Sequence, residues 1–304
     1  MFKVSVIIPI YNVAEFVEQA VESAVHLLEV AEIILVEDGS PDNSLEVCLE
    51  LKKMYNKIKV FQHFDEKNKG ISASRNLGIM EAESKYIAFL DADDWYLPHR
   101  FKKDKQIFET IDSIDAVYST TILEEHVGNN DLRYGITFNP KDKWGRCSEP
   151  MEFYKIKTEA RNVLFHTNSI TIRKEFLVKD KLFDTRLKLH EDSELWNRLL
   201  RRGCFEASEW ENPVAVIRRH SKNNIIKRNW KSHLKMIAVQ IDNIGLENLQ
   251  TFEIVDLYSR VIRLQSKRFV NHWIRRVYFY SSYSFNFFSK KSFLEKIRKA
   301  YAID

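Results

Sequence analysis

Three short apolar runs in the chain are each followed at once by polar residues that could bind a ligand. Tyr11 and Asn12 follow the run at residues 4–10, and Glu37 and Asp38 follow the run at residues 33–36. Asp91-Ala92-Asp93 follows the run at residues 86–90. If these runs are parallel strands, their carboxyl ends meet at one edge of a sheet, where ligands bind in open α/β proteins. The pattern therefore predicts one crevice lined by several carboxylates.

Carboxylates at this spacing are suited to holding a divalent metal ion beside a phosphate. The side chains of Asp91 and Asp93 offer the oxygen ligands that Mg²⁺ or Mn²⁺ prefers. Such an ion would neutralise charge on a leaving nucleoside diphosphate, which the carboxylates alone would repel. Because no G-x-G-x-x-G turn follows the first run, the sequence argues against dinucleotide binding of the Rossmann type.

The elements that must position these residues are predicted from hydrophobic periodicity. Helical patterns alternate with strand-like runs at residues 4–8, 33–36, 58–61 and 86–90. Asp42 stands at the expected N-cap of the second helix, and a further helix is predicted at residues 191–202. Strands that alternate with helices predict an α/β fold with a parallel sheet.

The composition indicates a folded protein in a reducing compartment. The chain has 304 residues, of which 44% are hydrophobic and 30% charged, so it can bury a sizeable core. Cys48, Cys147 and Cys204 form no C-x-x-C pair, which argues against a disulfide framework or a zinc knuckle. The apolar run at residues 4–10 is too short for a membrane span or a signal peptide core. These features predict a cytoplasmic location.

Five segments together resemble glycosyltransferase family 2. They are residues 4–12 (VSVIIPIYN), 33–40 (IILVEDGS), 68–78 (NKGISASRNLG), 86–95 (YIAFLDADDW) and 189–196 (LHEDSELW). The resemblance implies a GT-A fold, in which a mostly parallel Rossmann-like sheet is flanked by helices, here with a C-terminal helical extension. It also implies inverting transfer of a sugar from a nucleoside-diphosphate donor.

The resemblance assigns donor binding to residues near the ends of the first, second and fourth strands. Tyr11 and its neighbours would line the base and ribose pocket, Asp38 would accept a hydrogen bond from the base, and Arg75 would reach the diphosphate. The complete nucleotide-binding set is Pro9, Tyr11, Asn12, Glu37, Asp38, Arg75, Asp91 and Ala92. Asp93 would be the direct metal ligand, and His220 would touch the metal or the diphosphate.

Asp192 is the predicted general base. Inversion requires a group that deprotonates the acceptor hydroxyl on the face opposite the diphosphate, and a carboxylate at the start of a helix facing the cleft can do this. Glu191, Trp196 and Asn168 would shape the acceptor side. The alternative is that Glu191 and Asp192 are only helix-start acids, which the helix dipole favours.

The C-terminal part of the chain is basic and aromatic. From Lys227 onward it has 15 Lys and Arg against 6 Asp and Glu, whereas the remainder has 32 against 37. Cations mixed with aromatic side chains suit the surface of an anionic membrane, so peripheral membrane contact is one interpretation. Packing of these helices on the catalytic domain, with a solvated basic face, is the other. No RNA-binding motif accompanies the charge, so nucleic acid is not a predicted partner.

These inferences combine into one prediction for the chain. Residues 1–224 would form the catalytic domain, with a nucleotide-sugar half at 1–115 and an acceptor half at 116–224, and residues 225–304 would form a helical region. The donor would be a UDP-sugar and the acceptor a glycan or lipid-linked glycan, in synthesis of a bacterial surface polysaccharide or lipopolysaccharide. Two alternatives are a sugar nucleotidyltransferase, which would need a glycine-rich lysine loop after the first strand, and a non-catalytic carbohydrate-binding protein.

Overall fold

A seven-stranded sheet and a four-stranded sheet organise the part of the chain that the structure describes. The computed structural model describes residues 1–127, 131–136, 149–160, 165–219, 229–267, 269, 271, 273–276, 278 and 287–302. Within these residues the strands, numbered in chain order, are β1 (Val4–Ile10), β2 (Val30–Glu37), β3 (Ile58–Gln62), β4 (Tyr86–Phe89), β5 (Trp95–Tyr96), β6 (Ala116–Tyr118), β7 (Ile122–Val127), β8 (Asp131–Ile136), β9 (Ile170–Arg173), β10 (Phe205–Ala207) and β11 (Ala215–Arg219).

Helices connect the strands and complete the C-terminal part. In chain order they are α1 (Ala14–Val25), α2 (Ser44–Met54), α3 (Ile71–Glu81), α4 (Lys102–Thr110), α5 (Pro150–Ala160), α6 (Lys174–Leu177), α7 (Glu191–Leu200), α8 (Trp230–Ile244), α9 (Thr251–Ser266) and α10 (Phe287–Tyr301). Both faces of the larger sheet are buried, because Val6 and Ile8 of β1 join one apolar cluster and Ile7 joins another.

The larger sheet has the strand order β10-β6-β9-β4-β1-β2-β3. β1 pairs in parallel with β2 and β4, whereas β9 is antiparallel to both of its neighbours. The predicted mostly parallel sheet with flanking helices is therefore confirmed. The antiparallel strand lies outside that prediction, since four residues, ITIR, carry too little pattern to indicate a direction.

The smaller sheet has the strand order β5-β11-β7-β8, and its edge strand β5 follows β4 closely in the chain. β11 is antiparallel to β5, so that Val216 pairs with Trp95. This pairing brings the backbone of Arg218 to Asp94, whose carboxylate accepts a hydrogen bond from the Arg218 N–H at 2.7 Å. The second sheet thus fixes the segment that follows β4.

Helix α3 lies unusually close to the larger sheet. A Cβ atom on Gly78 would lie 2.5 Å from the Cγ2 atom of Ile7 in β1, so a larger residue there would push the helix outward. Because Arg75 lies one turn earlier on the same helix, this close packing also sets how near its side chain lies to the sheet.

The predicted N-cap of the second helix is wrong by one residue. α2 begins at Ser44 with Asn43 at the cap position. The Asp42 carboxylate instead accepts hydrogen bonds from the backbone N–H groups of Ser44 and Ala14, both at 3.1 Å. Asp42 therefore ties the first turn of α1 to the start of α2, which local sequence could not reveal.

The C-terminal helices α8, α9 and α10 share an apolar core of their own. Leu187, from the segment before α7, also belongs to this core, and α8 packs against α7. Asn229 caps α8 by accepting hydrogen bonds from the N–H groups that follow it. Across the described residues, no helix combines the length and the apolar character that crossing a bilayer requires. The predicted boundary at residue 224 lies outside the described residues.

Candidate active site

A cavity of about 1380 Å³ opens at the carboxyl ends of β1, β2 and β4. Its volume exceeds the roughly 300–1,000 Å³ of pockets that hold one small ligand, so it has room for two substrates. Most of the predicted site residues line it, namely Pro9, Tyr11, Asn12, Asp38, Arg75, Asp91, Ala92, Asp93, Glu191, Asp192 and Trp196. Glu37 and Asn168 do not line it, and His220 lies outside the described residues.

The turn after β1 presents Tyr11 and Asn12 to the cavity. Asn12 has a φ of +55°, a left-handed conformation that asparagine tolerates better than most residues. Its backbone N–H donates to the Ser40 hydroxyl at 3.1 Å, which ties this turn to the loop after β2. Tyr11 is 48% exposed, so much of its surface remains accessible to a ligand.

The two acidic residues at the end of β2 have different positions. Asp38 is buried at the cavity and accepts hydrogen bonds from the backbone N–H groups of Lys69 and Gly70, at 2.6 and 2.9 Å. Glu37 points elsewhere and accepts from Ser40 and Gln62, and these bonds outweigh burial so that the pKa of Glu37 is lowered. Contact of Glu37 with a base stays a prediction.

Gly39 lets the loop after β2 approach the segment before α3. Its φ is +67°, and a Cβ atom there would lie 2.7 Å from the carbonyl oxygen of Glu66. The close approach allows Asp38 to reach the backbone at the start of α3. Glycine is required here both for the backbone conformation and for the space.

Arg75 is held between two carboxylates. Its guanidinium donates to Asp91 at 2.7 Å and to Glu191 at 2.8 Å, and its carbon lies 5.3 Å from the centre of the Phe183 ring. The side chain is almost fully buried. Arg75 thus joins the end of β4 to the start of α7, while it also lines the cavity where the sequence predicts a diphosphate contact.

The residues after β4 form a tight turn that is held from two sides. Asp94 donates its backbone N–H to the Asp91 carbonyl oxygen at 3.0 Å. Asn168 accepts from the Asp91 N–H at 3.0 Å and donates to the Asp94 carboxylate at 2.5 Å. Asn168, predicted on the acceptor side, therefore lies behind this turn and orients it. Asp94 was not among the site residues predicted from the sequence, although its position next to Asp93 could have indicated it.

The acidic turn has the donors of a divalent metal site. Ligand atoms of Asp91, Asp94 and His166 lie within 4.8 Å of one another, and carboxylate oxygens are ligands that suit Mg²⁺ or Mn²⁺. Burial, and then repulsion from Asp93 and Asp91, raises the pKa of Asp94 well above its usual value. A divalent cation would offset this repulsion, so the residues fit a metal.

The start of α7 brings a second acidic pair to the cavity. His190 precedes the helix with a φ of +65°, a left-handed conformation that is uncommon outside glycine. Glu191 is buried against Arg75, and burial followed by repulsion from Asp192 raises the pKa of Glu191. Asp192 is less buried, and its Oδ1 atom accepts from the Ser193 N–H at 2.6 Å. The hydrogen bond from Ser193 thus orients the Asp192 carboxylate, which lines the cavity.

Trp196 closes this side of the cavity. Its indole N–H donates to the Thr167 hydroxyl at 3.3 Å. The centre of its ring lies 5.7 Å from the ring centre of Phe165 and 5.8 Å from that of Phe183. Aromatic packing of this kind restricts the ring to one orientation. Trp196 therefore forms a rigid surface one turn along α7 from Asp192.

Comparisons of sequence show which proteins the chain resembles. The model of the family described as Glycosyl transferase family 2 matches residues 5–186. Minor teichoic acid biosynthesis protein GgaA of Bacillus subtilis is 28% identical over 234 residues, which cover 74% of this chain and 49% of GgaA. GgaB of the same organism is 33% identical over 201 residues, covering 64% and 21%. This chain therefore spans half or less of the length of these relatives.

A third relative and the solved structures extend the likeness over more of the chain. An uncharacterized glycosyltransferase of Haemophilus influenzae is 28% identical over 280 residues, covering 86% of this chain and 83% of the relative. The crystal structure of S. aureus TarS 1–349 in complex with UDP-GlcNAc superposes with a TM-score of 0.64 at 16% identity, covering 98% of this chain and 92% of TarS 1–349. At that identity the likeness shows the fold alone.

These findings bear on the predictions to different degrees. The family match confirms the resemblance, and the structural match agrees with the predicted GT-A fold. The segment at residues 189–196 lies beyond the matched residues. The roles assigned to individual site residues, including Asp192 as the base, stay predictions.

Proposed function

This chain belongs to glycosyltransferase family 2, and we propose that it transfers a sugar from a nucleoside-diphosphate donor to an acceptor hydroxyl with inversion at the anomeric carbon. One observation carries the proposal. Asp38, Asp93 and Asp192 come from three separate segments of the chain and line the same cavity. They would serve base recognition, metal binding and proton removal, which together make up the needs of an inverting transfer.

The donor that we propose is a UDP-sugar. Tyr11 would contact the base, and Asp38 would accept a hydrogen bond from the base edge. Both Asp38 oxygens already accept backbone hydrogen bonds, but a carboxylate offers about four acceptor positions, so a further bond is compatible with them. Support for UDP comes from the solved structures of TarS, which shares the fold and is described in complex with UDP-GlcNAc and with UDP.

The acidic turn after β4 would hold Mn²⁺ or Mg²⁺. Asp93 is the proposed direct ligand, and the separate group of Asp91, Asp94 and His166 would offer further donors. When bound, the ion neutralises negative charge on the leaving nucleoside diphosphate. The chain's own residues shape this site, because Asn168 orients the turn from behind and Arg75 compensates the charge of Asp91.

Asp192 would act as the general base. As the acceptor oxygen attacks the anomeric carbon, its proton passes to the Asp192 carboxylate and the bond from that carbon to the diphosphate oxygen breaks. The hydrogen bond from Ser193 orients the carboxylate, and Arg75 holds the adjacent Glu191. A single displacement of this kind inverts the configuration and needs no covalent intermediate.

The acceptor that we propose is a bacterial surface polymer or its lipid-linked precursor. Support comes from GgaA and GgaB, which are named for minor teichoic acid biosynthesis. We also propose that the enzyme works in the cytoplasm, at the inner face of the membrane. Support for this is the basic C-terminal part, in which Trp273 is 73% exposed.

Calorimetry of UDP binding in Mn²⁺ tests the donor and metal assignments. Asp93→Ala should weaken Mn²⁺-dependent UDP binding by tenfold or more, since loss of supporting residues alone already costs about 10–100-fold in metal affinity. Asp112→Ala is the matched control, because Asp112 is exposed and does not line the cavity. A panel of UDP-sugars scored for hydrolysis would then identify the sugar.

The outcome is decisive for the proposal. Equal UDP affinity of Asp93→Ala and the wild-type protein in Mn²⁺ would remove Asp93 from the metal site. Failure of the wild-type protein to bind any nucleoside diphosphate would refute the proposed function itself.

A further inference from the structure

The cavity has a second wall whose charge is opposite to that of the strand ends. We call it the basic wall, and it is formed by the cavity-lining residues of α5 and α9, namely Tyr154, Lys157, Thr158, Asp256, Arg260 and Arg263. Three of these side chains are basic and one is acidic. The proposed transfer reaction assigns no role to any of them.

Helix α9 presents its charged residues as a stripe. Asp256, Arg260 and Arg263 are spaced by four and three residues, which places them on one face of the helix. The core of the C-terminal helices buries other residues of α9, namely Ile254, Leu257, Tyr258, Val261 and Ile262. The Nη1 atom of Arg260 lies 3.7 Å from the Oδ2 atom of Asp256. The side chain of Arg263 is exposed, and within the described part of the chain no carboxylate pairs with it.

Lys157 lies where α5, α7 and α9 approach one another. Its ammonium group donates to the Oδ1 atom of Asn197 at 2.5 Å and lies 5.7 Å from the centre of the Tyr154 ring. Burial and the positive charge of Arg260 lower the pKa of Lys157 to about 7, against the opposing effect of Asp256. An anion bound beside this group would relieve the repulsion between the two cations.

We propose that the basic wall binds a phosphate group of the acceptor. Arg260 and Arg263 offer planar forks of N–H donors that match phosphate oxygens, and Lys157 adds a point charge. A neutral glycan would provide no negative charge to this wall, where three basic side chains share one acidic neighbour, Asp256. The inference rests on the proposed function, because it assumes that an acceptor occupies the cavity together with the donor.

The position of the wall fits the acceptor better than the donor. Lys157 contacts Asn197, which lies five residues after Asp192 on α7, about 7.5 Å along the helix axis. A phosphate at Lys157 would thus lie beside the helix that carries the proposed base. The donor diphosphate, by contrast, is expected at the acidic turn after β4, where a metal ion would compensate the charge.

Two sources of phosphate share this chemistry, namely the phosphodiester of a surface polymer and the diphosphate of a lipid-linked precursor. The test loads the protein with saturating UDP and Mn²⁺, so that the donor site is filled. Binding of a glycerol-phosphate oligomer is measured in solution, and binding of a polyprenyl diphosphate sugar is measured in detergent micelles. An uncharged polyol of the same length serves as the ligand control.

The variants are Arg260→Gln, Arg263→Gln and their combination. Each loss of a charge-assisted hydrogen bond should weaken phosphate binding roughly tenfold. Lys267→Gln is the matched control, because it removes one positive charge from the C-terminal end of the same helix without lining the cavity. Hydrolysis of the UDP-sugar by water reports the donor site independently and should stay within about twofold of the wild-type rate.

Weakened binding of either phosphate probe in the cavity variants, with Lys267→Gln near wild type, supports the basic wall, and the probe affected identifies the source. Equal weakening in Lys267→Gln would show non-specific attraction and overturn the proposal. Reduced UDP affinity in the arginine variants would assign these residues to the donor site and would also overturn the proposal. Failure of UDP to bind the wild-type protein would instead count against the proposed function.

Discussion

The two walls of the cavity are built in different ways. The acidic wall consists of the cavity residues Asp38, Asp91, Asp93, Asp94, Glu191 and Asp192, which follow strands or begin a helix. Asp38 and Asp94 are buried, and both oxygens of each accept hydrogen bonds. At the basic wall, Arg260 and Arg263 extend from one face of α9. Arg260 is half-buried and Arg263 is exposed. The acidic wall is therefore fixed before any ligand arrives, whereas the arginines of the basic wall can adjust to one.

This difference matches the demands of the two proposed substrates. Negative charge develops on the leaving nucleoside diphosphate, so preorganised groups at the donor site increase the rate. A polymeric acceptor must enter, react and move, and adaptable side chains suit that task. Substitutions in the acidic wall should therefore reduce catalysis or stability strongly, and those in the basic wall should chiefly alter binding of the acceptor.

The largest expected effect is that of Asp192→Asn. The substitution keeps the size of the side chain and much of its hydrogen bonding but removes its basicity, so kcat should fall by roughly 10²- to 10⁴-fold. UDP affinity, measured by calorimetry, should change little because the base acts only on the acceptor. Product analysis should show inverted anomeric configuration.

Ser193→Ala is a useful companion to this variant. It removes the hydroxyl that donates to Asp192 at 3.2 Å but keeps the backbone N–H bond, so the carboxylate stays oriented and kcat should fall far less. A near wild-type rate in Asp192→Asn, or a product with retained configuration, would leave Asp192 as a helix-start acid only.

The acidic wall could largely be predicted from the sequence. Apolar runs such as residues 86–90 predict strands, and the rule that ligands bind at strand carboxyl ends then selects Asp38, Asp91 and Asp93. The structure brings these residues to one cavity. Their shared location was predictable because it follows from strands that are adjacent in the sheet, whereas the roles assigned to them stay predictions.

The supporting contacts could not be predicted in the same way. Asn168 reaches Asp91 and Asp94 because the segment before β9 lies beside β4, and nothing in a four-residue strand indicates that neighbour. The stripe at Arg260 and Arg263 is visible as a helical spacing, but the cavity that it faces depends on how α9 packs against α5. Contacts between distant segments thus required the structure.

Arg75→Met should produce the next largest effect, on stability. It would leave Asp91 and Glu191 without their shared cation in a mostly buried position, and removal of one partner of a buried ion pair costs about 3–5 kcal/mol. The same substitution at exposed Arg263 should change the free energy of unfolding by only about 0.5 kcal/mol. Urea denaturation measures both values. Equal stability of the two variants would contradict the contrast between a fixed and an adaptable wall.

The smallest expected effect is a pH dependence at the basic wall. Because burial and Arg260 lower the pKa of Lys157 to about 7, with Asp256 opposing, the group is mostly cationic at pH 6 and mostly neutral at pH 8. A phosphodiester oligomer keeps its charge over this range, so its affinity for the UDP-loaded protein should fall several-fold, and at most about tenfold, as the pH rises. Lys157→Arg keeps the positive charge and should flatten the profile. An unchanged slope in Lys157→Arg would show that the pH dependence does not come from Lys157.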